Sequence, residues 1–222
     1  MNLEISHIRK SYRRKNVLKD ISLTAQSGQC IGILGANGCG KSTLLSILAG
    51  IQTADGGSFT LDGHDLFAES DLRAALVGYV PQGTPLLEEL TALDNLRLWY
   101  DKKTLADELE KGILAMLGVR DFLKTPVRKL SGGMKKRLSI GCALSRRPPV
   151  VLLDEPTAAL DLSCKQDICA YLRTYKQSGG ILLLTTHEES ELGLCDAWYI
   201  MKDGVLVPFV YDGDMGKLVR SL

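Results

Sequence analysis

The sequence predicts an α/β fold in which a mainly parallel sheet is joined to an N-terminal antiparallel β-lobe and carries an inserted helical subdomain. Three observations predict it. Short β-leaning pieces separated by polar turns fill the first quarter of the chain. Three compact runs, Cys30 to Leu34, Val150 to Leu153 and Ile181 to Leu184, are uniformly rich in Ile, Val and Leu and bounded by Gly or Pro. Such runs fit parallel strands buried on both faces. Helical spacing then dominates from Thr91 to Arg147, between the first of these runs and the second.

In chain order, LEISHI and VLKDISLTA flank the turn Arg14-Lys15-Asn16, and SFTLDG follows the turn Ala54-Asp55-Gly56-Gly57. These read as antiparallel strands. The apolar run ending at Leu34 meets a Gly-rich turn, and KSTLLSILAG opens a helix. In the helical block, TALDNLRLWY comes first, then TLADELEKGILAMLGV opened by Thr104, then a helix after Ser131. The expected organisation is a single domain, 1–222, with 1–83 and 147–222 as a core including the β-lobe and 84–146 as the helical subdomain. No internal repeat or low-complexity stretch interrupts it.

Composition excludes several functions. The 222 residues carry 27 Lys plus Arg against 26 Asp plus Glu, a formal charge of +1. A general polyanion binder needs a basic stripe to displace counterions, so no nucleic-acid partner is expected. The runs Arg13-Arg14-Lys15 and Lys135-Lys136-Arg137 read as solvated surface. No apolar run approaches the roughly 18 residues of a membrane span, and MNLEISHIRK lacks the layout of a secretory signal. A cytoplasmic location follows as the expectation. The six cysteines form no C-x-x-C pair, so reduced thiols are expected rather than a disulfide framework or a zinc site.

The segment Gly35-Ala36-Asn37-Gly38-Cys39-Gly40-Lys41-Ser42 fits G-x-x-x-x-G-K-[ST] and lies between a predicted strand and a predicted helix. The glycines let the backbone curl so that successive N–H groups converge on phosphate oxygens, and the helix start adds its positive end. The expected nucleotide contacts are Gly35, Asn37, Gly38, Cys39, Gly40, Lys41, Ser42 and Thr43, with Lys41 on the β- and γ-phosphates and Ser42 on Mg²⁺. The loop and its context resemble the core of a P-loop NTPase. The strand Val150 to Leu153 ends in Asp154-Glu155, at the carboxyl edge where α/β ligand sites form. Asp154 is the expected Mg²⁺ partner, and Glu155 the acceptor of a proton from the attacking water. An acidic pair after a strand serves as readily as a helix cap; the phosphate loop upstream favours metal and base.

Leu130-Ser131-Gly132-Gly133-Met134 stands shortly before that acidic strand, and with the two preceding motifs the chain resembles the ATP-binding cassette family of ATPases from Tyr12 to His187. Ser131 and the bare N–H groups of Gly132 and Gly133 would crown a helix N-terminus as a second anion site. The resemblance implies that this site binds ATP held by another subunit, so that the active unit is a head-to-tail homodimer, or a heterodimer with a second such subunit, enclosing two ATP molecules. By the same resemblance Gln82 touches Mg²⁺ and the lytic water, His187 holds the γ-phosphate, Tyr12 stacks on adenine, and Asp161 communicates between the two ATP sites. Read alone, Tyr12 is also compatible with a surface tyrosine of the β-lobe, the less favoured reading, and His7 and His64 read as structural or solvated.

Three departures from the family pattern stand out. Met134 replaces a common Gln, Ala158 replaces a common Ser ahead of Asp161, and Cys39 places a thiol in the phosphate loop at a position that contributes mainly its N–H, reading equally as a reactive thiol that Mg-ATP would cover and as a small residue tolerated there. The resemblance implies the ATPase subunit of a transporter, coupled to a separate integral-membrane permease on the inner face of the cell membrane. The segment Gly83 to Tyr100 and SGGMKKRLS look most like export-type cassettes. The alternative is a soluble cassette ATPase acting on ribosomes or nucleic acid. One cassette on the chain, and too short a gap between Gln82 and Ser131 for a long coiled coil, weigh against it.

Overall fold

The computed structural model describes residues 1–13, 15–158 and 160–221. Arg14 of the expected first turn, Ala159 of the loop before Asp161, and Leu222 lie outside the described residues.

Strand β1 (Asn2–Tyr12) pairs antiparallel with β2 (Lys15–Gln26), each alternating buried and exposed residues as a half-buried strand must. Strand β3 (Cys30–Leu34) is buried throughout and leads through the Gly-rich turn into α1 (Lys41–Leu48). Then come β4 (Gly56–Leu61), antiparallel to β1, the two-residue β5 (His64–Asp65), α2 (Ser70–Leu76) and β6 (Val77–Val80). The β-lobe is therefore continuous with the rest: ten strands form one sheet in the order β5-β4-β1-β2-β10-β9-β3-β8-β7-β6 among the described residues. Here β7 is Val150–Asp154, β8 Ile181–Thr185, β9 Ala197–Lys202 and β10 Val205–Phe209. Neighbours from β9 through β3, β8 and β7 to β6 are parallel, and those from β5 to β2 are antiparallel. The sheet is thus mixed, and its parallel half carries the phosphate loop.

The helical block lies between β6 and β7. Thr91 caps α3 (Ala92–Arg97) by accepting from Asp94 N, and Ser131 caps α6 (Gly132–Ala143) by accepting from Met134 N. The second expected helix differs from the sequence reading. It starts at Lys102, not Thr104, because the Asp101 carboxylate accepts from both Lys103 N and Thr104 N. It also divides at Gly112 into α4 (Lys102–Lys111) and α5 (Ile113–Met116). The reason is Glu108, a buried carboxylate that folds back to accept from Ile113 N at 2.7 Å and from Arg147 Nε at 3.2 Å. A side chain at Gly112 would collide with it. Beyond β7, α7 (Leu162–Gln177) precedes β8, α8 (Glu189–Leu192) follows it, and α9 (Met215–Ser221) closes the chain.

Two large apolar clusters flank the sheet. One joins Val151, Leu153, Leu182 and Leu184 to the helical block through Leu96, Leu114 and Leu138. The other packs α1 and the β-lobe against Ile31, Ile33 and Leu152. Alternate residues of each parallel strand thus enter opposite cores, which is why those strands are apolar without interruption.

Glu108 yields a stability prediction. Glu108→Ala leaves a buried N–H at Ile113 without its acceptor, and should lower unfolding free energy by about 2 kcal/mol, read as a reduced denaturant midpoint. Arg147→Ala, which removes a largely exposed cation, should cost less. Equal losses would show that the ion pair, rather than the cap on Ile113, is the stabilising element.

Candidate active site

The parallel half of the sheet sets three loops side by side. Strand order β3-β8-β7 places the turn after Leu34, the residues after Thr185 and the acids after Leu153 along one carboxyl edge. Val17, Asn37, Gly38, Gly40, Lys41, Ser42, Thr43, Gln82 and Glu155 line a cavity of about 440 Å³ there. The local backbone explains the glycines. Gly40 has φ of 120°, and a Cβ on it would stand 2.9 Å from Leu18 Cδ2. Gly38, at φ of 76°, faces open space. As the N-cap of α1, Gly40 offers no side-chain acceptor, so that helix start keeps its positive end for an anion.

A chain of polar contacts crosses the cavity. Lys41 is buried, and its Nζ donates to Gly35 O at 2.6 Å and Ala36 O at 3.3 Å and stands 3.4 Å from His187 Nε2. His187 Nε2 lies 4.0 Å from Glu155 Oε1, and Gln82 Nε2 donates to Glu155 Oε2 at 3.0 Å. Thr185 holds the acids from below. Its hydroxyl donates to Asp154 Oδ1 at 2.7 Å and accepts from Glu155 N at 3.1 Å, and its carbonyl accepts from the same N–H at 3.1 Å. Glu155 itself adopts φ of 47°, a left-handed conformation uncommon for a residue with a Cβ. Strain of this kind persists where surrounding contacts over-determine it.

Burial, then the nearby Lys41 ammonium, hold the His187 imidazole below its ordinary pKa, while Glu155 and Glu188 oppose the shift. The surroundings therefore favour the uncharged ring.

The residues singled out from sequence fall into three groups. Asn37, Gly38, Gly40, Lys41, Ser42, Thr43, Gln82 and Glu155 line the cavity; Gly35, Asp154 and His187 stand immediately behind or beside them. Cys39 belongs to the loop by its backbone only. Its sulfur packs against Gly35 and borders a second cleft with Val17, Met201 and Gly204, outside the cavity lining, a placement that suits a small residue tolerated where only the backbone matters. Tyr12, exposed on β1, hydrogen-bonds Gln52 and lies outside the cavity lining. Ser131, Gly132 and Gly133 form the third group with Asp161, also away from the lining: a Cβ on Gly133 would lie 3.8 Å from Asp161 Oδ2. Asp161 caps α7 by accepting from Cys164 N at 2.9 Å.

Two residues escaped the sequence reading. Thr185 was hidden as the last residue of an apolar run. Lys136 was expected in solvent, but it is buried and donates to Pro81 O at 2.9 Å and Gln82 O at 3.1 Å, tying α6 to the loop that carries Gln82. Burial lowers its pKa, opposed by Asp154, Glu191 and Glu155. Arg137 is also not free surface, since it binds Asp167 at 2.7 Å.

The donor set fits Mg²⁺ with a polyphosphate. No group of three or more His, Cys, Asp or Glu side chains is placed to hold a metal among the described residues. Ser42, Gln82 and Asp154 offer oxygen only, with a single carboxylate. A hard cation that keeps waters and shares phosphate oxygens is suited to so sparse a shell.

Comparison with known proteins agrees with this geometry. The sequence family described as ABC transporter matches residues 18–158. The Nod factor export ATP-binding protein I of Sinorhizobium fredii is 38% identical over 91% of this chain, which spans 60% of that protein. The spermidine/putrescine import ATP-binding protein PotA of Bacteroides thetaiotaomicron is 36% identical over 91% of this chain, which spans 45% of it. A solved ATP binding subunit of an ABC transporter superposes with a TM-score of 0.84 at 26% identity, covering 99% of this chain and 94% of that one.

The electrostatics can be measured. The His187 ring should titrate below the ordinary value of about 6.5, followed by NMR of its ring protons. Lys41→Met should raise the midpoint, and Glu155→Gln should lower it further. Because the folded value is the lower one, His187 weakens the fold only as pH drops through the unfolded value towards the folded one. A midpoint at or above 6.5 would contradict the assigned surroundings.

Proposed function

This chain belongs to the ABC transporter family as one of its ATPase subunits, and from that premise we propose that it hydrolyses Mg-ATP in a head-to-tail dimer that drives a separate membrane permease. The observation that carries the reading is the contact chain Lys41–His187–Glu155–Gln82 across the mouth of the phosphate loop. Lys41 and the N–H groups from Gly38 to Thr43 hold the phosphates. Ser42, Gln82 and Asp154 would hold Mg²⁺, which supplies charge neutralisation on the phosphate oxygens. Glu155, turned towards the cavity by its left-handed backbone, accepts the proton of the attacking water. His187 hydrogen-bonds the γ-phosphate. Tyr12 stacks on adenine.

Ser131, Gly132 and Gly133 lie outside the lining of this chain's own cavity, which supports their use on the nucleotide of a second subunit, with Asp161 beside them as the contact between sites. We read 1–222 as one nucleotide-binding domain whose helical segment 84–146 carries those residues. Both a homodimer and a heterodimer satisfy the geometry.

The permease reading has a surface to support it. No helix among the described residues is long and apolar enough to cross a membrane. Leu87 and Leu90, on the loop after Gln82, and Leu98 and Trp99, after α3, each expose a large apolar side chain. The loop is held in shape by Asn95, which accepts from Leu87 N at 2.9 Å and donates to Leu87 O at 3.0 Å. A cytoplasmic apolar helix of the permease is its proposed occupant, placing the chain peripherally on the inner face of the membrane. Export is the proposed direction, on the likeness of the segment Gly83 to Tyr100 and of the Nod factor relative, against an import relative of nearly equal identity.

Glu155→Gln should retain ATP, lose hydrolysis by about two orders of magnitude, and accumulate an ATP-bound dimer. Lys41→Ala should lose ATP binding itself. Mixing Ser131→Arg with Lys41→Ala chains should restore part of the activity, because one composite site in the heterodimer keeps both halves. Wild-type turnover in Glu155→Gln, or no restoration in the mixture, would remove the base or the composite site respectively.

Docking is tested separately. Trp99→Asp should leave ATP binding unchanged and abolish recovery of an integral-membrane protein with the tagged chain. Salt-dependent retention of nucleic acid in place of a membrane partner would instead favour a soluble ATPase.

A further inference from the structure

Beside the phosphate cavity lies a fully buried acid that the reading above does not use. Glu191, on α8, has no exposed surface, and both of its carboxyl oxygens lack a hydrogen-bond partner. The equally buried Thr157 Oγ1 lacks one too. Burial pushes the Glu191 carboxyl above its ordinary pKa. The hydroxyls of Thr157 and Thr186 and the Thr157 backbone N–H stand near enough to oppose that shift, yet none of the three closes a hydrogen bond with the carboxyl. Thr186 Oγ1 instead accepts from Glu188 N at 2.8 Å. Buried polar groups of this kind are almost always satisfied, and an orphaned set points to a bridging water.

The room for one exists. Glu191, Thr186, Ala158, Glu155, His187 and Glu188 enclose a cavity of about 40 Å³. One water needs about 10–15 Å³ of such space and two to four polar neighbours. The walls come from the two loops that carry the reactive groups: Glu155 and Ala158 follow β7, and Thr186 to Glu191 follow β8. The charges around the acid are Glu155, Glu188 and the more distant Lys136; Lys165 is engaged with Glu188 at 2.7 Å.

We propose that this cavity is a structural water site held by the Glu191 carboxyl, and that Glu191 is thereby a positioning residue for Glu155 and His187. The water adds a second bridge between the two loops, beyond the Thr185 hydroxyl that already joins their bases, and holds the base and the imidazole at their 4.0 Å separation. Glu191 touches neither nucleotide nor metal. The inference rests on the reading of Glu155 as the base.

The test compares Glu191→Leu, which leaves a dry apolar group of similar bulk, with Glu191→Gln, which keeps a hydrogen-bonding one. Single-turnover hydrolysis at saturating Mg-ATP, ATP affinity and thermal midpoint are measured on each. Glu191→Leu should hydrolyse about tenfold more slowly with unchanged ATP affinity and no loss of thermal midpoint, and Glu191→Gln should recover most of the rate. Full-rate Glu191→Leu, a loss that tracks ATP affinity, or a Glu191→Gln as slow as the leucine variant would each overturn the proposal. A crystal structure of the unaltered protein keeps it testable should the leucine variant not fold. An ordered water within about 3 Å of a Glu191 oxygen supports it, and a dry cavity overturns it. Glu155→Gln run in parallel separates the two readings: full activity there removes the base itself, whereas an inactive Glu155→Gln beside a normal Glu191→Leu removes only the water site.

Discussion

The register between β7 and β8 sets Asp154 directly opposite Thr185, and that pairing governs the rest of the site. With one hydroxyl Thr185 fixes the Asp154 carboxylate and receives the Glu155 N–H, while its carbonyl receives the same N–H. The double grip holds Glu155 in a left-handed conformation that otherwise costs roughly 1–2 kcal/mol. It turns two consecutive acids apart: Asp154 stays buried behind the phosphate loop, and Glu155 enters the cavity. Shifting the register by one residue would exchange the faces of the strand and remove both.

From that point the electrostatics follow as one cluster. Lys41 is anchored on carbonyls of its own loop and biases His187 towards the neutral form. Glu155 is shared between Gln82 on one side and His187 on the other. Each group has a partner on a different element, so the site depends on β3, β6, β7 and β8 ending at the same edge. Parallel strands with their connections on the sheet faces provide that common edge.

Lys136 extends the cluster into the helical block. Its ammonium caps the carbonyls of Pro81 and Gln82 from α6, the helix that Ser131 begins. A buried lysine that donates only to backbone oxygen is worth its desolvation when those carbonyls have no other donor. The loop that contacts Glu155 is thus hydrogen-bonded to the helix that Ser131 begins. This gives the nucleotide cavity a physical link to the helical block.

Much of this was legible from residues alone. The phosphate loop, the acids after an apolar strand and the Ser131 cap follow from local rules, because each depends on neighbours within a few positions of the chain. The uniformly apolar strands likewise announced a parallel sheet covered on both faces. The helix start at Lys102 and its break at Gly112 turned on the side-chain caps supplied by Asp101 and Glu108, the latter held by Arg147 from far along the chain, while the burial of Lys136 and the packing of the Cys39 sulfur were decided by contacts distant in sequence, with Gln82 and with the cluster that includes Met201. Thr185 and Glu191 carry no motif of their own. A threonine at a strand end and a glutamate on a short helix are ordinary in sequence, and acquire a role only where packing removes water from around them and leaves particular groups as their neighbours. The sequence by itself determined which chemistry the chain can support, since that depends on residue types at short spacing. The tertiary structure decided which groups are buried, paired or left unsatisfied, since burial and pairing are properties of segments brought together from across the sheet.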